Sequence, residues 1–203
     1  AQAQWFEREL VGKVGEYRLG LWDSLYFTGA YRHDENDTFD NAETYRVTAA
    51  YLLRRTGTRL HGSIGKGVTN PTFTEQFGFN PNTFDGNPNL LPEVSRGCDA
   101  GIEQKFFDDR LTVDVTYFKA DLENEIVGTF DNMTFRSSVD NLTEDSKREG
   151  VEVSLVARPT RSLDIVGSYT YTDSVQVRNG VEQREVRRPE HMARLDVNYR
   201  FRN

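Results

Sequence analysis

The stretch LTVDVTY, residues 111–117, carries the pattern that decides the fold of this 203-residue chain. Its odd positions are Leu, Val, Val and Tyr, whereas its even positions are Thr, Asp and Thr. Successive side chains of a β-strand point to opposite faces, so a period of two separates an apolar face from a polar one. The stretch therefore predicts a two-faced strand.

The same alternation recurs along most of the chain and predicts about nine strands. The predicted strands are 3–19, 24–37, 43–53, 59–68, 93–107, 111–124, 136–158, 162–175 and 183–202. Short connections fall at 21–24, 54–58, 107–110 and 158–162, and longer ones fall near 36–42, 69–92, 125–135 and 176–182. Short turns at one edge and long loops at the other are typical of an antiparallel meander in a bilayer. The fold class predicted is all-β, an up-and-down meander.

Composition narrows the classes of partner. The formal net charge of −7 argues against a nucleic-acid partner, because such binding depends on Lys and Arg at phosphates. The one cysteine, Cys98, excludes an internal disulfide and a cysteine-based zinc site, and we expect no cofactor or metal. The mean hydropathy of −0.67 suits a soluble protein, but averaging hides the apolar face of a two-sided strand.

Strand length and aromatic residues favour a membrane wall over a soluble sheet. The alternating segments run for about ten residues, which crosses a hydrocarbon layer at the tilt of a barrel. Tyr and Phe cluster at strand ends, as in Tyr199 and Phe201, where interfacial girdles lie. Strands of soluble sandwiches are usually about five or six residues long. A soluble β-sheet binding module nevertheless remains an open alternative.

No stretch of the sequence predicts catalysis. The segment HGSIGKG, 61–67, lacks the first Gly of a nucleophile elbow and the Ser or Thr of a phosphate loop. An outer-membrane barrel enzyme would need Ser, His and an acid at one rim. His33 and His191 lie near loop ends without a serine partner at suggestive spacing. We predict no catalytic residue and no enzyme activity, and keep the barrel enzyme as an alternative.

One long connection stands apart from the others. Residues 69–93 read TNPTFTEQFGFNPNTFDGNPNLLPE and hold four prolines and four phenylalanines. Long loops without regular structure are uncommon in compact proteins and are usually functional or disordered. We therefore take this loop as the first candidate for a binding segment.

Five stretches together resemble the barrel of TonB-dependent outer-membrane receptors, especially cobalamin transporters and their ferric-siderophore relatives. They are EYRLGLWDSLYFTGAYRHDENDTF (16–39), TYRVTAAYLL (44–53), GTRLHGSIGKGVTNPTFTEQFG (57–78), GNPNLLPEVSRGCDAGIEQKFF (86–107) and REGVEVSLVARPTRSLDIVGSYTYTDS (148–174). The most specific part is a Pro-Thr-x-x-x-x-Phe turn followed by Asn-Pro-x-Leu-x-Pro-Glu and a strand with Ala-Gly-x-Glu. The resemblance covers nearly the whole chain.

The resemblance implies that residues 1–203 are part of a barrel of about 22 strands, matching its tenth to eighteenth strands. It implies that the plug domain, the TonB box and the other strands are absent from this sequence. Nine strands leave two unpaired edges, so we do not expect a working channel from this segment alone. The implied place is the bacterial outer membrane. The implied partners are its lipid, the TonB complex acting through the plug, and a metal chelate or corrin ligand.

The resemblance also implies two sets of site residues. The ligand would meet side chains of the long extracellular loop, namely Phe73, Phe77, Phe79, Asn80, Asn82 and Phe84. The lumen and plug would meet charged residues of the polar strand faces, namely Asp114, Glu152, Arg158, Asp164, Arg194, Asp196 and Arg200. The activity implied is TonB-dependent uptake of a ferric siderophore or cobalamin, with no bond made or broken in the cargo.

Overall fold

The protein is described by a computed structural model that covers residues 6–80, 82–178, 180–186 and 188–201. These residues form twelve strands and one short helix. The strands are β1 (Leu10–Leu21), β2 (Leu25–Asn36), β3 (Ala42–Leu53), β4 (Thr58–Thr69), β5 (Glu93–Phe106), β6 (Leu111–Glu123), β7 (Ile126–Asp131), β8 (Arg136–Asn141), β9 (Ser146–Thr160), β10 (Leu163–Arg178), β11 (Val181–Arg184) and β12 (His191–Tyr199). The helix is α1 (Phe73–Phe77).

Ten of these strands form one antiparallel sheet. Strands β1 to β6 pair in chain order, β6 then pairs with β9, and β9 pairs with β10. The far edge of β10 is shared, since β11 pairs with one end of it and β12 with the other. Strands β7 and β8 form a separate hairpin. The predicted all-β antiparallel meander of about nine strands is confirmed.

The pairing register aligns the apolar faces of the strands into one band. A single row across the sheet joins Leu25, Tyr51, Leu60, Ile102, Val115, Val153, Tyr169 and Ala193. Cys98 lies on this same face, opposite Ile64. The row next to it, on the opposite face, joins Arg59, Glu103, Asp114, Ser154, Ser168 and Arg194. The sheet therefore has one apolar side and one polar side.

Among the described residues, burial is confined to the long-loop end of the molecule. Val153 is half-buried and Leu195 is 69% exposed, although both lie in the wall. In the part of the chain that the structure describes, the buried hydrophobic residues are Leu90 and Leu142, and both lie in loops. The sheet thus presents its apolar band uncovered. In the described part of the chain, no helix has the length and apolar character needed to cross a membrane.

Two predicted strands are each divided in the structure. The predicted strand 136–158 is two strands, β8 and β9, because the chain leaves the wall to pair with β7 and rejoins it at Ser146. The predicted strand 183–202 is also two strands, β11 and β12. They are separated by residues 185–190, which include Pro189, a residue that cannot donate a ladder hydrogen bond. Residue 202 lies outside the described residues.

The long connections also differ from the prediction. Residues 69–93 contain helix α1, and the region predicted as a loop at 125–135 contains β7. The predicted long loop at 176–182 is instead a continuation of β10 to Arg178, a tight turn at Gly180 with φ of +73°, and the start of β11. The predicted strand 3–19 begins later, at Leu10, and its first three residues lie outside the described ones.

Candidate functional site in the long loops

Helix α1 begins and ends on local signals within the long loop. The amide of Thr72 donates to Glu75 Oε2 at 2.7 Å, and Thr72 Oγ1 accepts from the Glu75 amide at 3.2 Å. This reciprocal pair is a capping box, which satisfies amides that a helix start leaves unpaired. Gly78 ends the helix with φ of +76°, in the region that favours glycine. The loop therefore carries its own ordered structure.

The four phenylalanines of this loop form two separate aromatic groups. Phe77 stacks on Phe6 with ring centroids 3.8 Å apart, and Phe73 lies 6.3 Å from both of these rings. Phe79 and Phe84 form a second pair at 5.1 Å. Phe79 is 70% exposed, compared with 41% for Phe73. The predicted ligand-binding phenylalanines thus differ in the fraction of their surface that is exposed.

The two predicted ligand-binding asparagines play different local parts. Asn80 Oδ1 accepts from the amide of Asn82 at 3.0 Å, and the Asn80 carbonyl accepts from the amides of Thr83 and Phe84. Such a side-chain turn is a common role of asparagine in loops. Asn82 itself is exposed. The side chain of Asn80 therefore shapes the turn, while that of Asn82 faces outward.

The long loop is fastened to the β7–β8 hairpin through backbone and side chain. The amide of Asp85 donates to the Ser137 carbonyl at 2.8 Å, and the Ser137 amide donates to Thr83 O at 3.0 Å. Arg136 Nε donates to Asp85 Oδ2 at 2.5 Å. This hydrogen bond from Arg136 lowers the pKa of Asp85 from its usual value. The two loops therefore form one unit, which we call the loop clamp (residues 83–91 with 136–141).

Asn141 closes the other end of the loop clamp. Its Nδ2 donates to the carbonyls of Leu91 at 3.0 Å and Asn124 at 2.7 Å, and its Oδ1 accepts from the Leu91 amide at 2.8 Å. Asn87 Nδ2 donates to the Val139 carbonyl at 3.2 Å. The sequence prediction did not include these asparagines. They lie 17 to 52 positions from their partners, so no local pattern points to them.

A charged cluster ties the hairpin to the last long connection. Arg148 Nε donates to Glu185 Oε2 at 2.9 Å, and Arg148 also contacts the buried Glu125. Burial alone would raise the pKa of Glu185, but hydrogen bonds from Arg148, Arg188 and Ser174 outweigh it and lower that pKa to about 2. Glu185 is thus held ionised. We call Arg148, Glu125, Glu185, Arg188 and Ser174 the Arg148 cluster.

The polar face of the sheet carries a second set of contacts around Asp114. Asp114 Oδ2 lies 2.8 Å from His61 Nε2, and Asp114 Oδ1 accepts from Thr116 Oγ1 at 2.8 Å. Arg59 donates to Glu103 at 3.1 Å beside them. The ring of His61 reaches Asp114 across Gly101, where a Cβ would lie 2.6 Å from His61 Nε2. Gly101 therefore allows a contact that spans three strands.

Five of the seven predicted lumen residues share the polar face in the pairing register, but the seven do not form one site. Asp164 accepts from Arg158 at 3.2 Å and from Arg200 at 3.3 Å near the short turns. Arg194 and Asp196 pair at 2.7 Å along β12. Glu152 is exposed on the same face. That this face lines a lumen stays a prediction.

Comparison with known proteins gives the family of this wall. The family model described as TonB dependent receptor-like, beta-barrel, matches residues 12–203. The chain belongs to the TonB-dependent receptor β-barrel family. Members of this family lie in the bacterial outer membrane, and the predicted resemblance is confirmed.

Among curated relatives of this receptor barrel, the vitamin B12 transporter BtuB of Photobacterium profundum is 24% identical over 185 residues. The match covers 90% of this chain and 28% of that protein. The chain thus spans less than a third of the length of this relative. The relatives found are transport receptors rather than enzymes.

Solved structures of receptor barrels share the fold of this chain. The copper transporter OprC matches with a TM-score of 0.78 at 17% identity, covering 95% of this chain and 32% of that one. The siderophore receptor PirA from Pseudomonas aeruginosa matches with a TM-score of 0.71 at 21% identity, covering 82% of this chain and 32% of that one. These likenesses concern the arrangement of strands.

Proposed function

We propose that this chain is a wall segment, with its extracellular loops, of an outer-membrane receptor for TonB-dependent uptake of a cobalamin or a ferric siderophore. The observation that carries this proposal is the ordered loop at 69–93, which holds exposed aromatic and amide groups at the long-loop edge of a receptor-family wall. Large, partly apolar ligands are usually bound by aromatic surfaces with a few oriented polar groups.

The outward face of the wall supports a lipid environment. Soluble monomers rarely expose contiguous apolar patches of more than a few hundred Å². Here the apolar band crosses eight strands in register, and residues such as Ile64 and Val197 are more than half exposed. The alternative of a soluble β-sheet module would leave this band in water. The band therefore favours membrane insertion.

The inward face supports contact with a polar filling. On this side Asp114 is hydrogen-bonded to His61 and forms an ion pair with Arg59 at 3.8 Å, and Asp164 bridges two arginines further along. Charged residues are costly in hydrocarbon and are acceptable toward a lumen. We take this face as the contact surface for a plug, through which the TonB complex would act.

The histidines do not support the alternative of a barrel enzyme. His61 is engaged with Asp114, His191 Nδ1 lies 2.8 Å from the hydroxyl of Tyr169, and His33 lies 4.0 Å from Glu43. These three histidines belong to different strands. A nucleophile needs a base within hydrogen-bond reach that is itself oriented by a third group. We therefore assign a binding and transport role without catalysis.

The charge of the loops bears on the choice between the two cargoes. Residues 69–93 contain three carboxylates and no lysine or arginine. Arg136 and Arg188, from the neighbouring connections, are both paired with carboxylates. A strongly anionic chelate would meet like charge, which disfavours its approach. These loops favour an uncharged or cationic cargo, such as a corrin, over a strongly anionic ferric siderophore.

Uptake by cells tests the proposal directly. The strains are a deletion of the whole receptor gene, the same strain carrying the gene, and the same strain with residues 72–84 replaced by a Gly-Ser linker. Labelled cobalamin and a labelled ferric siderophore are supplied separately. We expect uptake of one cargo to be lost on deletion, restored by the gene, and lost again with the linker. Normal uptake by the linker variant, with the protein present in the outer membrane, would overturn the role of the loop.

A further inference from the structure

Arg8, which precedes β1, reaches the most buried part of the long loop. Its Nη1 donates to the Pro71 carbonyl at 2.9 Å, and its Nη2 donates to Gln76 Oε1 at 2.6 Å. Gln76 is 4% exposed, and Pro71 is fully buried. One guanidinium thus binds the residue before the helix cap and a residue inside α1. It fixes both ends of the helical turn.

The same guanidinium lies against two aromatic rings from different loops. Its central carbon is 4.7 Å from the ring centroid of Phe39, in the β2–β3 connection, and 5.0 Å from that of Phe73 in α1. These distances are within the range of a cation–π contact. The adjacent Phe6 stacks on Phe77, with an angle of 6° between the two rings. Arg8 and Phe6 therefore join three separate segments of the chain.

These contacts divide the aromatic residues of the loop into two groups. Phe73 and Phe77 each use a ring face against Arg8 or Phe6. Phe79 follows Gly78, whose positive φ turns the chain away from the helix. Phe79 then packs only against Phe84 among the described aromatic rings, and most of its surface is exposed. Phe73 and Phe77 are therefore occupied by contacts with Arg8 and Phe6, whereas Phe79 and Phe84 are available to a ligand.

We propose that Arg8 is a positioning residue that anchors α1, and that the Phe79–Phe84 pair is the part of the loop that contacts the cargo. This proposal rests on the proposed function and narrows the predicted set of ligand-binding residues. Ordering a loop on binding costs free energy, and this cost is smaller when the loop is already held in place before the ligand binds. Arg8 would therefore affect the affinity for the cargo by holding Phe79 in place, and not by touching the cargo itself.

Lysine cannot replace arginine in this arrangement. A guanidinium is planar, offers donors in a fixed fork and stacks on aromatic rings, whereas an ammonium is a compact, strongly hydrated charge. Arg8→Lys keeps the charge and removes the geometry. Arg18→Lys, in the strand that follows Arg8, is a matched control, because Arg18 is exposed and pairs only locally with Glu16.

The test measures binding of labelled cobalamin and of a labelled ferric siderophore to the full-length receptor in outer membranes. We expect Phe79→Ala and Arg8→Lys each to weaken binding of the transported cargo by up to about tenfold. The uptake rate at saturating cargo should stay near wild type. Arg18→Lys should change neither quantity.

A double variant distinguishes positioning from general damage. If Arg8 acts through Phe79, adding Arg8→Lys to Phe79→Ala should weaken binding little further, since coupled residues are not additive. Fully additive losses would overturn the proposal. So would an unchanged affinity in either single variant.

Hydrogen exchange of the amides at 73–78 tests the anchor without any cargo. It should speed up in Arg8→Lys and stay unchanged in Arg18→Lys, and unchanged exchange in Arg8→Lys would overturn the anchoring role. If neither cargo binds the wild-type receptor, the proposed function fails, and this exchange result still decides whether Arg8 anchors α1.

Discussion

The wall and the loops of this molecule are stabilised in opposite ways. In the wall, ladder hydrogen bonds satisfy the backbone while both faces stay uncovered, as at Val153 and Ser154 on β9. In the loops, the side chains of Leu90 and Leu142 are buried, and the polar Ser146 and Gln176, at the long-loop ends of β9 and β10, are buried too. The wall thus depends on its surroundings for its stability. The long connections, which together we call the loop layer, form a core of their own.

This difference explains where specificity can reside. A wall that faces lipid on one side must keep its alternation, which leaves little freedom for recognising a particular cargo. The loop layer is held by named contacts, such as the loop clamp and the Arg148 cluster, and presents residues like Phe79 from a fixed base. Binding residues on loops held by a rigid scaffold are common in proteins.

The largest effect is expected from Arg148→Met in the full-length receptor. It removes the cation shared by the buried Glu125 and the half-buried Glu185, which keeps only Arg188 as a cationic partner among the described residues. Removing one partner of a buried ion pair costs about 3–5 kcal/mol. The loss should appear as faster hydrogen exchange at the amides of Leu142 and Glu185, while amides of β3 and β4 keep their protection.

Arg184→Met is the matched control for this change. Arg184 pairs with Glu190 at the surface, where its side chain is 69% exposed. Such an exposed pair contributes little to stability, because solvent screens it. Equal effects of the two substitutions would mean that the Arg148 cluster does not hold the loop layer together.

The next effect concerns the two faces of the wall. Val153→Arg puts a charge in the middle of the apolar band and should cost about 2–4 kcal/mol if that band faces hydrocarbon. Ser154→Arg, one position along, puts the same charge on the polar face opposite Asp114 and should cost far less. Unfolding titration of the receptor in lipid vesicles measures both. Similar costs at both positions would contradict a wall with one lipid face.

The smallest of the three effects is a loosening of the loops in acid. The pKa of Glu185 is about 2 in the folded protein against an ordinary value of 4.5, so its ionised form favours the folded loops. This contribution is complete above pH 4.5 and is lost as the pH falls toward 2. It should be smaller than the effect of Arg148→Met, because one carboxylate of the cluster is neutralised rather than its central cation removed.

Hydrogen exchange at a series of pH values, corrected for intrinsic rates, follows this loosening. The amides near Glu185 should lose protection in acid before those of the wall do. In Glu185→Gln the loops should be loosened already at neutral pH and change less on acidification. An unaltered pH profile in that variant would assign the loosening to other groups, such as Asp85, whose pKa Arg136 also lowers.

The wall could be predicted from the sequence because its physics is local. Each strand needs its own alternation of apolar and polar residues. The segment at 111–117 therefore predicts both a strand and which side chains lie on its apolar and polar faces. The pairing register then follows from chain order and short turns. For the same reason, Asp114, Glu152, Asp164, Arg194 and Asp196, five of the seven charged residues chosen for the polar face, share one face in the pairing register. Arg158 and Arg200 reach this face through their contacts with Asp164.

The loop layer could be predicted only in part. The Thr72 and Glu75 pair is a capping signal that the sequence does contain, so helix α1 could have been found. Strand β7 has no clear alternation, and the sequence pattern predicts its partner β8 and strand β9 as a single strand, 136–158. Arg148 lies 23 residues from Glu125 and 37 from Glu185, and nothing in the local sequence pairs them. Contacts of this range are set by the fold and not by any segment.

The loop clamp has a consequence for how such a receptor can vary over evolutionary time. Its two halves bond backbone to backbone, as Asp85 and Thr83 do with Ser137, so an insertion in one must be matched by a change in the other. The hairpin tip is different, since Met133 is 91% exposed and Phe135 is 75% exposed. The long-loop edge is thus divided into an exposed tip, whose residues can change one at a time, and a paired base, whose two halves change only together.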